Sequence, residues 1–97
     1  MTIGRELADG RLTLKVGGRL DTNTSPELEA ELKLEGVGEV VFDFAGLEYI
    51  SSAGLRVLMA AQKAMTASGG RMSIANPNDM VRGVLDMTGL SGVFEIV

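Results

Sequence analysis

The sequence predicts an α/β fold, a mixed and mostly parallel β-sheet with an N-terminal antiparallel hairpin and about three crossover helices. Three observations carry this prediction. Strand and helix patterns alternate from residue 11 to the end, which demands right-handed crossovers between parallel strands. Val40, Val41, Phe42 and Phe44 form a nearly unbroken apolar run, the mark of a central strand over Glu39 to Phe44. Ahead of the alternation, Asp9-Gly10 supplies the positive φ angles of a tight hairpin turn.

That turn makes Thr2 to Ala8 an antiparallel first strand. In the second strand Leu12, Leu14 and Val16 alternate with Arg11, Thr13 and Lys15, so one face is buried and the other meets water. A first helix is expected over Pro26 to Leu34, stopped by Gly36. The central strand follows, then a second helix over Ser52 to Ala67, stopped by Gly69-Gly70. Arg71 to Ala75 reads as a strand, Pro77 to Met87 as a third helix before Gly89, and Val93 to Ile96 as the last strand. On the third helix Met80, Val81, Val84, Leu85 and Met87 are expected to face the core, opposite Asp79, Arg82 and Asp86.

Ninety-seven residues with 45 % hydrophobic content suit one domain, residues 1–97, around one core, and no repeat, linker or low-complexity segment divides it. Zero His and zero Cys remove zinc ligands, thiol nucleophiles, Ser-His-Asp triads and imidazole bases together. No catalysis, metal or cofactor is expected. Thirteen acidic residues against nine basic, with one Tyr and three Phe, give neither a basic footprint nor stacking platforms for nucleic acid. No apolar stretch approaches a membrane span and the N-terminus lacks signal-peptide regions, so a cytoplasmic protein without membrane contact is expected. Gly17-Gly18 and Gly69-Gly70 lack the Walker lysine and the dinucleotide spacing, and read as turns. Glu27, Glu29, Glu31 and Glu35 do not converge on one helical face, so they read as a solvated surface and not as a metal site.

Loops leaving the carboxyl ends of parallel strands share one rim, where such sheets place their sites. Here Gly17 to Thr24, Ala45 to Ser51 and Asn76-Pro77-Asn78 are expected to meet, bringing Asp21, Asn23, Ser51, Ser52 and Asn76 together. The segment YISSAGLRVLM, Tyr49 to Met59, crosses from this rim into the second helix. At about 100° per residue, Gly54, Val57, Leu58, Ala61 and Met65 share an inward face, and Ser52, Leu55, Arg56, Met59, Lys63 and Thr66 share a mixed outer one. Ser51 is nearer the inward side. A serine at this helix start has two readings: a cap for the free N–H groups of the first turn, or a phosphate acceptor where those donors and the helix dipole favour a dianion. Asp21 likewise reads as an Asx-type turn with Asn23 before a helix capped at Ser25, or as part of the site.

The stretches GRLDTNTSPEL (Gly18 to Leu28), VVFDFAGLEYISSAGLRVL (Val40 to Leu58) and MVRGVLDMTGLSGVFEI (Met80 to Ile96) together resemble the STAS domains of bacterial anti-sigma factor antagonists, over essentially the whole chain. The resemblance implies a partner switch. The unmodified protein binds an anti-sigma factor that doubles as a serine kinase and frees a sigma factor. Phosphorylation ends the binding, and a serine phosphatase restores it. The acceptor by this resemblance is Ser52, with Ser51 as the alternative, and Asp21 corresponds to an acidic residue beside the site. Two departures stand out: Ser51 replaces a commonly acidic residue, with Ala53 after the acceptor, and the C-terminal helix usual in the family is absent.

Asp21, Asn23, Leu55, Arg56, Met59 and Lys63 are the candidate partner-binding residues. Leu55 and Met59 are expected to be partly exposed on the Ser52 side, the alternative being that both seal the edge of the core. A STAS scaffold or sensory module, with Ser52 only a cap, is the competing function. An Asp21–Ser52 dyad is a poor enzyme, since a lone carboxylate is a weak base for serine at neutral pH.

Overall fold

The computed structural model describes all of residues 1–97. The order of elements is β1 (Thr2–Ala8), β2 (Arg11–Leu20), α1 (Ser25–Glu29), β3 (Glu39–Ile50), α2 (Ser52–Ser68), β4 (Arg71–Ala75), α3 (Asp79–Met87), a 3-10 turn (Leu90–Gly92) and β5 (Glu95–Ile96). The five strands lie side by side in chain order, β1 antiparallel to β2 and every later pair parallel. Because the sheet grows in one direction from β2 to β5, right-handed crossovers place every helix on the same face. Leu12, Leu14, Val40, Phe42, Phe44, Met72 and Ile74 point into that face and join a core cluster of 21 buried residues. The alternate residues, among them Arg11, Thr13, Asp43 and Arg71, line the other face, which no helix covers.

The hairpin turn forms as expected, with Asp9 at φ 52° and Gly10 at φ 77°. Gly17-Gly18 is not a turn. The pair lies inside β2, where the register with β3 shifts between Lys15 and Gly17 and again between Gly18 and Arg19. Gly18 sits at φ 87°, a conformation a side chain would strain. These bulges let β2 run on to Leu20, and β3 continues beside it to Ile50, so Ala45 to Ile50 is strand and not loop. Leu47 and Ile50 supply the reason, since both remain buried on the helix side.

Four other expectations are corrected. The first helix is five residues long and stops at Glu29, because the next bonds, Glu31 N to Leu28 O and Leu32 N to Glu29 O, tighten to 3-10 type. The last strand shortens to Glu95–Ile96, since Val93 and Phe94 both donate to Leu90 O in the 3-10 turn. The third helix begins only at Asp79, where the Asn78 side chain accepts from Val81 N at 2.8 Å. On that helix Val81 and Leu85 are buried, but Met80 and Met87 are exposed, Met87 at 89 %. Both methionines sit about 120° or more around the helix from the Val81–Leu85 line, and a helix of this length meets the sheet along one narrow stripe.

Candidate functional site

The carboxyl ends of β2 and β3 finish side by side, with Leu20 paired to Ile50. The pairing continues one step, as Ser51 N donates to Leu20 O at 2.9 Å. Ser51 is extended, at φ −105° and ψ 177°, and its carbonyl accepts from Leu55 N at 3.0 Å. One residue therefore separates the central strand from α2. Gly54 makes this junction possible: a Cβ there would lie 2.7 Å from Leu20 Cγ and 2.9 Å from Ile50 Cγ1, so the first turn of α2 rests directly on the sheet.

The two serines differ sharply. Ser52 is exposed at the first position of the helix. The Ser51 hydroxyl is buried, has no hydrogen-bond partner and does not cap the helix. The first turn of α2 also carries no acidic residue. Its free N–H groups and the positive end of its dipole are thus uncompensated by any side chain, whereas α3 has both the Asn78 cap and Asp79 in its first turn.

Asp21 is occupied in a turn. One of its carboxylate oxygens accepts from Asn23 N at 3.0 Å and from Thr24 N at 3.1 Å, the Asx-type arrangement, and the other lies 3.8 Å from Arg19 Nε. Its pKa is lowered. Partial shielding from water acts to raise it, but the Thr24 and Asn23 amides, the Thr24 hydroxyl and the Arg19 charge together outweigh that. A carboxylate so engaged is a still weaker base. Arg19 in turn stacks over the Tyr49 ring at 4.2 Å. Ser25 is buried but is not the cap; Thr24 holds that position and makes no side-chain cap bond. Asn23 is exposed beside the turn. Asn76 does not join this group through any hydrogen bond; at φ 57° it turns its amide to the Asp43 carboxylate at 3.2 Å.

Along α2, Gly54, Val57, Leu58, Ala61 and Met65 are buried, the inward face that helical phase gives. Arg56, Met59 and Lys63 are exposed, Met59 at 49 %. Leu55 is not: it is 7 % exposed and belongs to the core cluster, against which Leu90 also packs. The expectation of a partly exposed Leu55 is thereby corrected, because the 3-10 turn after α3 brings Leu90 to the flank that helical phase alone leaves open. Ser52, Leu55, Arg56, Met59, Thr88 and Leu90 line a shallow hollow of about 340 Å³. Thr88 and Leu90 were not among the sequence candidates. The available signal was an apolar residue directly after the helix stop at Gly89. No group of three or more acidic, His or Cys side chains is placed to hold a metal ion, and no helix is long and apolar enough to cross a membrane.

Comparison with known proteins agrees with the fold. The anti-sigma-B factor antagonist of Staphylococcus epidermidis is 31 % identical over 86 residues, which make up 86 % of this chain and 80 % of that protein. The anti-sigma F factor antagonist of Paenibacillus polymyxa is 28 % identical over 91 residues, 90 % of this chain and 78 % of that one. The crystal structure of an anti-sigma factor antagonist from Mycobacterium paratuberculosis superposes with a TM-score of 0.87 at 26 % identity, covering 98 % of this chain and 83 % of that chain. Residues 3–97 match the family model described as "Mlab, STAS domain". The chain belongs to the STAS domain family.

Proposed function

We propose that this chain is an anti-sigma factor antagonist, a binding switch without catalysis of its own. In its unmodified form it binds an anti-sigma factor serine kinase through the face at the start of α2, and a sigma factor is released. The kinase supplies ATP: Ser52 Oγ attacks the γ-phosphorus, an O–P bond forms, the bond to ADP breaks, and the hydroxyl proton passes to a base on the kinase. A serine phosphatase hydrolyses the ester and resets the switch.

The observation that carries this reading is the exposed Ser52 at an uncapped helix start, beside a hollow floored by Leu55 and flanked by half-exposed Met59. A group of about −2 charge is favoured there in the free protein by the helix dipole and the unpaired N–H donors. The same group pressed against a partner loses hydration next to apolar side chains, which favours release. Relatives named as antagonists of anti-sigma factors support the choice of partner.

The test is intact mass after incubation with the anti-sigma factor kinase of the same genome and ATP, followed by site mapping. One phosphoryl group on Ser52 is the expected result. Phosphate found only on Ser51 rejects the acceptor assignment. No mass gain, with stable binding to another protein, favours the scaffold, in which Ser52 is merely the first residue of α2.

A further inference from the structure

The exposed side of α2 carries more than a serine. Alternate steps of four and three residues from Ser52 reach Arg56, Met59, Lys63 and Thr66, and all five are exposed. That spacing aligns them in a single ridge along the helix. In a chain of net charge −4, α2 is the one helix without an acidic residue, and Arg56 and Lys63 are its only charges. Neither cation makes an ion pair, while Lys15, Arg19 and Arg71 each face a carboxylate. Charge elsewhere on the helices is acidic or mixed: α1 carries Glu27 and Glu29, and on α3 Asp79 and Asp86 stand three and four residues either side of Arg82. The ridge is therefore a cationic strip in an acidic molecule, ending at the positive pole of its own helix, with the Leu55–Met59–Leu90 hollow along one edge.

We propose that this ridge docks an acidic segment of the anti-sigma factor, one that sets an apolar side chain into the hollow and carboxylates opposite Arg56 and Lys63. The proposal deepens the antagonist reading of the same face and rests on it. Charge complementarity selects the occupant. A second copy of this chain meeting ridge to ridge would bring like charges together, and two cations against 13 acidic residues make no footprint for a nucleic-acid backbone. The geometry also says how phosphate acts. Ser52 precedes Arg56 by four residues, the spacing of a helical ion pair, so a phosphoryl group of about −2 charge draws Arg56 to itself and cancels the two positive charges of the ridge.

The test measures affinity for the anti-sigma factor kinase, with a non-hydrolysable ATP analogue, at low and high salt. Arg56→Glu/Lys63→Glu is expected to lose about tenfold or more at low salt, with the gap closing as salt screens it, while Arg82→Glu on α3 binds like the parent. Carbodiimide coupling of the wild-type complex is expected to join Lys63 to a carboxylate of the partner. Arg56→Gln/Lys63→Gln gives the same direction of change if the reversed pair disturbs folding. Unchanged or tighter binding of the charge-reversed variant, with Ser52 still phosphorylated, overturns the acidic-partner proposal and leaves the antagonist reading standing. A parent chain that neither binds the kinase nor is phosphorylated overturns both.

Discussion

Replacing Gly54 with Ala tests how closely α2 rests on the sheet. The added methyl would sit 2.7 Å from Leu20 Cγ, 2.9 Å from Ile50 Cγ1 and 3.0 Å from Leu20 Cδ2, and Leu20 and Ile50 are buried. The two shortest contacts are to a branch carbon, Leu20 Cγ, and a stem carbon, Ile50 Cγ1, both held in the core, so the clash is relieved only if the helix lifts. Overpacking of this kind costs roughly 1–3 kcal/mol, and three contacts at or below 3.0 Å put the cost near the top of that range. Ala returns about 1 kcal/mol of helix propensity over Gly. The net loss is about 2 kcal/mol, which for a domain of this size lowers Tm by about 8–16 °C. Gly83→Ala is the paired control: it is also a helical glycine, but nothing lies within 4 Å of the new carbon. There only the propensity remains, and a gain of about 0.5–1 kcal/mol is expected. Thermal melts followed by circular dichroism read both. If Gly54→Ala melts at or above the parent temperature, α2 does not sit against Leu20 and Ile50 as described.

Further outcomes follow from the same surfaces. Leu55→Lys puts a charge into a site that is 7 % exposed and should cost about 3 kcal/mol or more, whereas Met59→Lys, one turn on and half-exposed, should stay within about 1 kcal/mol of the parent and lose kinase affinity instead; equal melting temperatures for the two would contradict the assigned burial. Ser52→Asp should fold with a Tm near the parent's, because an anion suits that helix end, and should bind the kinase more weakly; a large fall in Tm would count against the dipole argument. The Asp21 pKa is lower folded than unfolded, so its stabilisation is present above the ordinary aspartate pKa and is lost as pH falls through the folded value. Melts of Asp21→Asn against the parent should therefore differ at pH 7 and converge as pH falls below the ordinary aspartate range; a gap that persists in acid would mean the turn depends on shape and not on charge.

Much of this was legible because periodicity reports burial. The alternation of Leu12, Leu14 and Val16 and the phase of Gly54, Val57, Leu58, Ala61 and Met65 are local consequences of backbone geometry, and the structure buries every one of them. Several of the misreadings share a cause, which is that a neighbour distant in sequence decides them. Gly17-Gly18 has the look of a turn until β3 pairs on both sides of the bulge. Leu55 lies at the boundary of its helical face, and only a 3-10 turn some 35 residues later covers it. Met80 and Met87 match an inward stripe by spacing, yet α3 is too short and too narrowly seated to bury them. Connectivity places Asn76 at the rim, and its left-handed backbone turns it to Asp43.

The junction between β3 and α2 bears on how any modification of Ser52 would work. Strand and helix are joined by one residue, and that residue is held from both sides, by Leu20 O on its N–H and by Leu55 N on its carbonyl. Gly54 then clamps the first turn to Leu20 and Ile50. A segment fixed at three points has no loop to reorder and no alternative packing to reach, so a phosphate on Ser52 has little to move. On the proposed reading it would act by changing charge at a fixed place, where the free molecule already presents unpaired N–H donors and no acidic side chain. The buried Ser51 hydroxyl fits the same view: taking up a phosphate there would require the junction to open, since the oxygen is enclosed and reaches no solvent. The proposed switch would then gain its effect at the partner's surface and not inside its own fold. Hydrogen exchange over α2 should accordingly be the same in the parent and in Ser52→Asp, and marked loss of protection in the variant would show that the helix start yields.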